Sequence, residues 1–433
     1  MKKWLLGDVR TAPREGCVWN MIASVINASE AVVILMIATR TVGVEMSGVL
    51  TIAFTVANLM MCLGKYGVRN YQVTDVRNEF SFADYQHSRI ITMAIMFAGT
   101  LSYLGYAMLK SQYSISKVAI VFLVTCIYGI EAYEDVYLAG LQHDKRLDIG
   151  TKMFSVRWFA TLVIWGIGLI FTKSALWSTL VAAICDALFM VWLIRVAKEG
   201  IEDRNNKVSD KKDVFGILKK CLPLCITSFT AIYLPNAAKY AIDQCLGDAE
   251  QAYYGFVAMP VFVIDILSFI IFQPMLLSMS QDWNDNRFGD LKKRIRRLCG
   301  LILAISCAVL IGGFVLGIPL LSLLYGVDLS SYKMEMMVLL FGGAALGYIG
   351  LFISILTIMR RQKYLMTIYI IISLVALVTM NIFVTKYGMM GAAGWNSGLL
   401  IVLGVLLGFG CLHYMRRQKV LVRTTSDDSG TEE

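Results

Sequence analysis

Six acidic residues lie within stretches of this sequence that are otherwise apolar: Glu30, Glu131, Glu134, Asp135, Asp186 and Asp265. If those stretches cross a bilayer, a charge near the middle costs roughly 2.5–3.5 kcal/mol on the lenient insertion scale. We therefore expect these side chains to face a protein interior or to be paired. Buried acids of this kind can bind Na⁺ or carry a proton across a membrane.

Glu30 has no evident basic partner. Asn27 lies three residues earlier, on the same predicted helical face, so that a carboxylate and an amide come together. We predict that Glu30, with Asn27, couples transport to an ion; the alternative is a hydrogen-bonded packing role. Asp186 and Asp265, each central in its predicted helix, are further candidates for ion coupling.

The acids lie in a chain of about twelve apolar runs. Each run is close in length to the roughly 20 residues that a helix needs to cross a bilayer. The runs cover residues 17–40, 43–65, 90–109, 117–141, 153–172, 175–197, 216–240, 252–280, 299–325, 334–359, 364–385 and 389–415. Lysine and arginine crowd into alternate connections and are nearly absent from the others. The positive-inside rule then predicts a multi-pass protein of the bacterial inner membrane with cytoplasmic N- and C-termini.

Arg157 is the one cation that these runs make available to the acids inside a span. In the predicted topology it lies about as far from the cytoplasmic face as Asp135, on the next helix. We predict that Arg157 forms a structural ion pair with Asp135 or Glu134.

Composition excludes several classes of protein. Hydrophobic residues make up 57% and charged residues 16% of the chain, whereas a soluble domain carries about 25% charged residues. The net charge of +9 comes from short loops beside helix ends, which favours contact with anionic lipid over nucleic acid. The cysteines and histidines lack metal-binding spacing, and no nucleotide-binding loop or catalytic triad occurs. We expect no metal, no cofactor and no enzymatic activity.

The longest polar stretch between spans covers residues 198–214 and divides the chain almost equally. We predict an N-terminal six-helix lobe (1–197), a cytoplasmic linker (198–214), a C-terminal six-helix lobe (215–415) and a disordered cytoplasmic tail (416–433). A weak internal repeat supports two halves, because Gly43 and Gly247 each precede four residues that include an acid and then a small residue. Transporters are often built from such repeats.

Three stretches of the sequence follow a known pattern. They are Ile37–Gly43 with Gly48 and Leu63–Arg69; Asn236–Gly247 with Tyr253–Gly255; and Phe383–Ala393. Together they resemble the polysaccharide flippase family of the multidrug/oligosaccharidyl-lipid/polysaccharide exporter superfamily. The resemblance implies an all-α integral membrane fold of about twelve transmembrane helices, in two six-helix lobes that form a V-shaped bundle with a central cavity.

The same resemblance implies a function. Its cargo would be an undecaprenyl-pyrophosphate-linked oligosaccharide, flipped by alternating access and coupled to an H⁺ or Na⁺ gradient. Association with membrane lipids and with the polysaccharide assembly machinery is also implied.

An anionic cargo needs cations along its path. In the implied fold Arg40 and Lys239 lie at the external ends of the first and seventh helices, which border the cavity, and we predict that both contact substrate. Lys65 and Arg69, at the cytoplasmic end of the second helix, could capture the head group. The alternatives are snorkelling of Arg40 and Lys239, a local pair of Lys239 with Asp243, and positive-inside anchoring of Lys65 and Arg69.

Two other functions compete with this one. The excess of buried acids suits an anionic cargo poorly and favours a multidrug or cation antiporter of the same superfamily. A membrane polysaccharide polymerase or acyltransferase belongs to a different class. Such enzymes usually need a sizeable external loop, and the predicted external connections are short.

Overall fold

The fold is seen in a computed structural model that describes residues 2–75, 79–110, 113–200 and 210–429. In these residues the chain is almost entirely helical and has no β-strand, which confirms the predicted all-α class. The helices are α1 (Lys2–Leu6), α2 (Ala12–Thr41), α3 (Val44–Lys65), α4 (Val68–Thr74), α5 (Phe82–Lys110), α6 (Ile115–His143), α7 (Leu147–Thr172), α8 (Ala175–Gly200), α9 (Lys211–Cys245), α10 (Asp248–Phe272), α11 (Leu276–Asn284), α12 (Phe288–Gly312), α13 (Ile318–Tyr325), α14 (Lys333–Ile358) and α15 (Gln362–Ser429).

Eleven helical segments in the described part of the chain are long and apolar enough to cross a membrane, so this is a multi-pass membrane protein. The last of them covers 57 residues, or about 85 Å of helix, whereas the hydrocarbon core of a bilayer is only about 30 Å thick. It is broken at Gly388, whose φ of 61° and ψ of −144° are not helical and suit a residue without a Cβ. The break makes two spans of one segment, in agreement with the predicted total of about twelve.

Several helices extend beyond the predicted apolar runs. α5, for example, begins at Phe82 rather than at residue 90, because about two largely polar turns precede the apolar run. α15 continues to Ser429, and the disorder of the 416–433 tail remains a prediction. Backbone hydrogen bonding continues both helices past the point at which hydropathy ends.

The helices pack as two compact units. Unit 1 consists of residues 1–232 and 247–252, and unit 2 consists of residues 233–246 and 253–433. The division therefore falls inside α9, whereas the prediction placed it at the 198–214 linker, of which residues 201–209 lie outside the described part of the chain. Ile217 and Cys221 explain this boundary, since both are fully buried in the hydrophobic core of unit 1. The predicted lobe limits remain a prediction.

The turn that joins α9 to α10 packs against α3 and α6 within unit 1. Lys117 Nζ lies 2.5 Å from Asp248 Oδ1. Gly48 lets the backbones of α3 and the turn approach closely, because a Cβ at that position would collide with the carbonyl oxygen of Asp248. This contact ties residues 247–252 to unit 1.

Replacing Gly48 with alanine is expected to lower the free energy of unfolding by about 1–3 kcal/mol, because the added methyl group overpacks this contact. Thermal unfolding of the purified protein measures the change. Gly105→Ala in α5 is the matched control, since an added Cβ there meets nothing within 4 Å and should be neutral or slightly stabilising. Equal shifts for the two variants would show that the close approach contributes nothing.

Candidate functional site

Nine of the buried or partly buried charged side chains of unit 1 lie on the seven helices α2 to α8. We call this set the buried charge network; it comprises Glu30, Lys65, Arg69, Arg89, Glu131, Glu134, Asp135, Arg157 and Asp186. Helix α6 supplies three of the acids at positions i, i+3 and i+4, a spacing that places them on neighbouring parts of one helix surface. The network is therefore built around α6.

Arg157 lies between two acids. Its Nε is 2.8 Å from Glu134 Oε2, and one terminal nitrogen is 3.0 Å from Asp186 Oδ2. All three side chains are fully buried, and Thr161 Oγ1 donates a further hydrogen bond of 2.7 Å to Asp186. The structure thus brings Arg157 to Glu134, one of its two predicted partners. It also places Asp186 in an ion pair with Arg157, whereas the predicted ion coupling calls for an acid without a fixed cation.

Asp135 pairs with other residues. Its two oxygens lie 2.9 Å from Arg89 and 3.3 Å from Arg69. Successive residues on a helix point about 100° apart, so Asp135 faces α4 and α5 while Glu134 faces α7. The predicted alternative pair of Asp135 with Arg157 is therefore wrong.

Arg89 is the network residue that sequence reasoning missed. It is fully buried and also donates a hydrogen bond of 2.5 Å to the carbonyl oxygen of Gly64. The sequence placed it in a cytoplasmic connection because it precedes the apolar run, yet it lies two turns inside α5. A signal was present, since Asp135 lacked a cation once Arg157 was assigned to Glu134.

Lys65 and Arg69, the predicted head-group ligands, both have acidic partners. Lys65 Nζ lies 2.6 Å from Glu131 Oε1, and Trp158 donates to the other oxygen of Glu131 at 3.1 Å. The side chains of Lys65 and Arg69 remain 32% and 36% exposed. Each of the two side chains therefore contacts a buried acid and also reaches the protein surface.

Glu30 differs from the other four acids of the network. Its side chain is buried, and the Tyr128 hydroxyl donates to its Oε1. Its Oε2 has no hydrogen-bond partner, and no ion pair to Glu30 occurs among the described residues. With five acids and four bases, the network has one negative charge in excess when all groups are ionised. Glu30 is the acid without a cation beside it.

The structure places two other predicted site residues, Asn27 and Arg40, at exposed positions on α2. Asn27 is exposed, because three residues leave it about 60° around the helix and one turn away; its predicted pairing with Glu30 is wrong. Arg40 is exposed at the end of α2. Asp265 lies in α10, but its side chain lies outside the described residues.

Lys239 lines a cavity of about 40 Å³ within unit 2. The alternative to substrate contact, a local pair with Asp243, is not formed, and Lys239 has no ion pair or hydrogen bond among the residues that the structure describes. Its neighbours in the cavity include Pro235, Tyr254 and Asn396, and the other walls are largely apolar. The ammonium group thus lies half-buried without a counter-charge.

Among the residues that the structure describes, no group of three or more histidine, cysteine or acidic side chains is arranged to hold a metal ion. Among the described residues, the buried charge network of unit 1 is ion-paired except at Glu30, and Lys239 in the cavity of unit 2 has no counter-charge.

Comparison with solved structures shows the fold. A multidrug resistance MATE family transporter of the MOP superfamily, in an inward-facing conformation, matches with a TM-score of 0.68 and 14% identity, over 95% of this chain and 99% of that one. The lipid II flippase MurJ, in an inward closed conformation, gives 0.68 and 13% identity over 92% and 90% of the two chains. A MOP superfamily transporter from Pyrococcus furiosus gives 0.54 and 15% identity over 96% and 97%.

No curated protein matches the sequence at a significant level. The family described as polysaccharide biosynthesis protein matches residues 14–280, which is more than half of the chain. The chain therefore belongs to the polysaccharide biosynthesis protein family, with the fold of transporters of the MOP superfamily.

Proposed function

We propose that this protein is a flippase that moves an undecaprenyl-pyrophosphate-linked oligosaccharide across the bacterial inner membrane. The observation that carries the proposal is the fold it shares with the lipid II flippase MurJ along 92% of its length. Membership of a polysaccharide biosynthesis family supports a saccharide cargo. The proposed orientation has both termini in the cytoplasm, because basic residues crowd into the connections on that side.

The proposed mechanism is alternating access, in which the protein opens in turn to each side of the membrane. Arg40 and Lys239 would contact the anionic cargo. Lys65 and Arg69 would present their exposed parts to the head group, and their partners Glu131 and Asp135 would keep both side chains in place. Association with polysaccharide assembly enzymes belongs to the same proposal.

Coupling to an ion gradient is assigned to Glu30. Burial and the free Oε2 support this role, because a carboxyl group without a fixed cation can exchange one H⁺ or hold one Na⁺. Tyr128 fixes the position of the carboxyl group but cannot neutralise it. The other four acids of the network have cations within 3.3 Å and serve structure.

A multidrug or cation antiporter is the second candidate function. The excess acid in the buried charge network favours it, since a negative interior attracts a cationic compound. The similarity to a MATE family transporter also supports it at the level of fold. A polymerase or acyltransferase gains no support from the structural neighbours, which are transporters.

Deleting the gene in its native cell is expected to trap lipid-linked oligosaccharide on the cytoplasmic leaflet. Accessibility of the sugar to a membrane-impermeant lectin, in right-side-out and inverted vesicles, measures the distribution. Complementation with the intact chain serves as the control. An unchanged distribution together with altered dye efflux would reject the flippase and favour the antiporter.

A further inference from the structure

Several polar groups that line the cavity around Lys239 in unit 2 have no hydrogen-bond partner. Asn396 is 3% exposed and donates from Nδ2 to the carbonyl oxygen of Pro235 at 3.3 Å, but its Oδ1 has no partner. Tyr254 is 2% exposed, and its hydroxyl has no hydrogen-bond partner among the described residues. With Lys239, three polar groups line one small cavity and lack partners. Buried polar groups are normally hydrogen-bonded, so the cavity has the features of a ligand site.

The charge of the cavity limits the ligand. Among the described residues that line the cavity, Lys239 alone is charged. A neutral ligand would leave the ammonium group unneutralised, and a pyrophosphate would bring more negative charge than one lysine balances in apolar surroundings. A group with a single negative charge matches the site.

The size of the cavity limits the ligand further. A water molecule needs about 10–15 Å³ of cavity volume, so the cavity of about 40 Å³ holds about three water-sized groups, which suits a carboxylate but not a pyrophosphate or a whole sugar ring. A carboxylate has both the single negative charge and the small size that the cavity requires. Lys239 and Tyr254 can donate to its oxygens, and Asn396 Oδ1 can accept from a neighbouring hydroxyl group.

We propose that this cavity binds the carboxylate of an acidic sugar, of the uronic acid class, while the rest of the sugar stays outside it. The inference rests on the proposed saccharide transport, and it names the chemistry of the cargo that this site selects. Lys239 neutralises the carboxylate, Tyr254 orients it, and Asn396 recognises an adjacent hydroxyl.

Binding is tested on the full-length purified protein in lipid nanodiscs, with sodium glucuronate, glucose and inorganic pyrophosphate as probes at equal ionic strength. Ligand-induced thermal shifts report the affinity. Glucuronate should stabilise the wild type, and glucose and pyrophosphate should not. Lys239→Gln should weaken glucuronate binding at least about tenfold, as expected for a lost hydrogen bond to a charged group. Lys239→Arg should retain part of it.

The controls separate binding from folding. Without ligand, Lys239→Gln should be at least as stable as the wild type, because it removes a half-buried cation that has no counter-charge. Lys333→Gln is the matched control, since Lys333 lies over the Phe314 ring and outside the cavity. Stabilisation by glucose or pyrophosphate equal to that by glucuronate would overturn the proposal, as would undiminished binding by Lys239→Gln.

A flipping assay tests the carboxylate site separately from the flippase function. Proteoliposomes receive lipid-linked oligosaccharides that differ only in a uronic acid or its neutral counterpart. Faster flipping of the acidic cargo supports the site, and equal rates for both reject the site while leaving the flippase function intact. Failure to flip either cargo rejects the flippase function itself.

Discussion

Replacing Arg157 with glutamine is expected to leave little folded protein. Glu134 and Asp186 would then lie fully buried without the cation that each contacts within 3.0 Å. Removing one partner of a buried ion pair costs about 3–5 kcal/mol, and here two acids lose the same partner. Total stabilities are about 5–15 kcal/mol, so the loss is a large part of the whole. The yield of monodisperse protein and its thermal unfolding measure the effect.

Two further variants show whether charge balance is the cause. Arg195→Gln removes an exposed arginine from α8 and should change stability by no more than about 0.5 kcal/mol. The triple variant Arg157→Met, Glu134→Gln and Asp186→Asn removes all three charges together and should recover most of the folded protein. If Arg157→Gln alone were as stable as the wild type, the ion pairs would have no structural role.

Replacing Glu30 with glutamine is expected to reduce gradient-driven transport to background while the protein stays folded. The amide keeps an oxygen that can accept the Tyr128 hydrogen bond, but it cannot exchange a proton or supply a charge to Na⁺. Because the substitution removes an acid without a cation beside it, thermal stability should be unchanged or higher. Transport in proteoliposomes is measured with an imposed H⁺ gradient and, separately, with an imposed Na⁺ gradient.

Glu45→Gln provides the matched control, since it makes the same replacement at an exposed acid on α3. It should transport at the wild-type rate. The gradient that Glu30→Gln no longer uses identifies the coupling ion. Wild-type transport by Glu30→Gln under both gradients would remove Glu30 from the coupling mechanism.

The sequence predicts the spans well because each segment that crosses a bilayer must by itself be long enough and apolar enough to do so. It predicts helix ends less well. The polar residues before position 90 look like a loop, yet they continue α5 and bring Arg89 into the interior. Hydropathy cannot detect a charged turn of helix that is buried against protein rather than lipid.

The partners within the buried charge network were only partly predictable. Arg157 and the α6 acids could be paired because their depths in the membrane follow from residue counting. The choice between Glu134 and Asp135 depends on the rotation of α6 about its axis, which residue counting does not give. Asn27 shows the same limit, since it is exposed although it is close in sequence to the buried Glu30.

The single-residue break at Gly388 has a practical consequence for topology mapping. α15 passes from one span to the next without an intervening loop, so an inserted epitope or protease site at that turn would disrupt the fold instead of reporting its side of the membrane. In a variant without the ten native cysteines, one cysteine at position 387, where the native tyrosine is 55% exposed, is better suited to labelling with an impermeant maleimide.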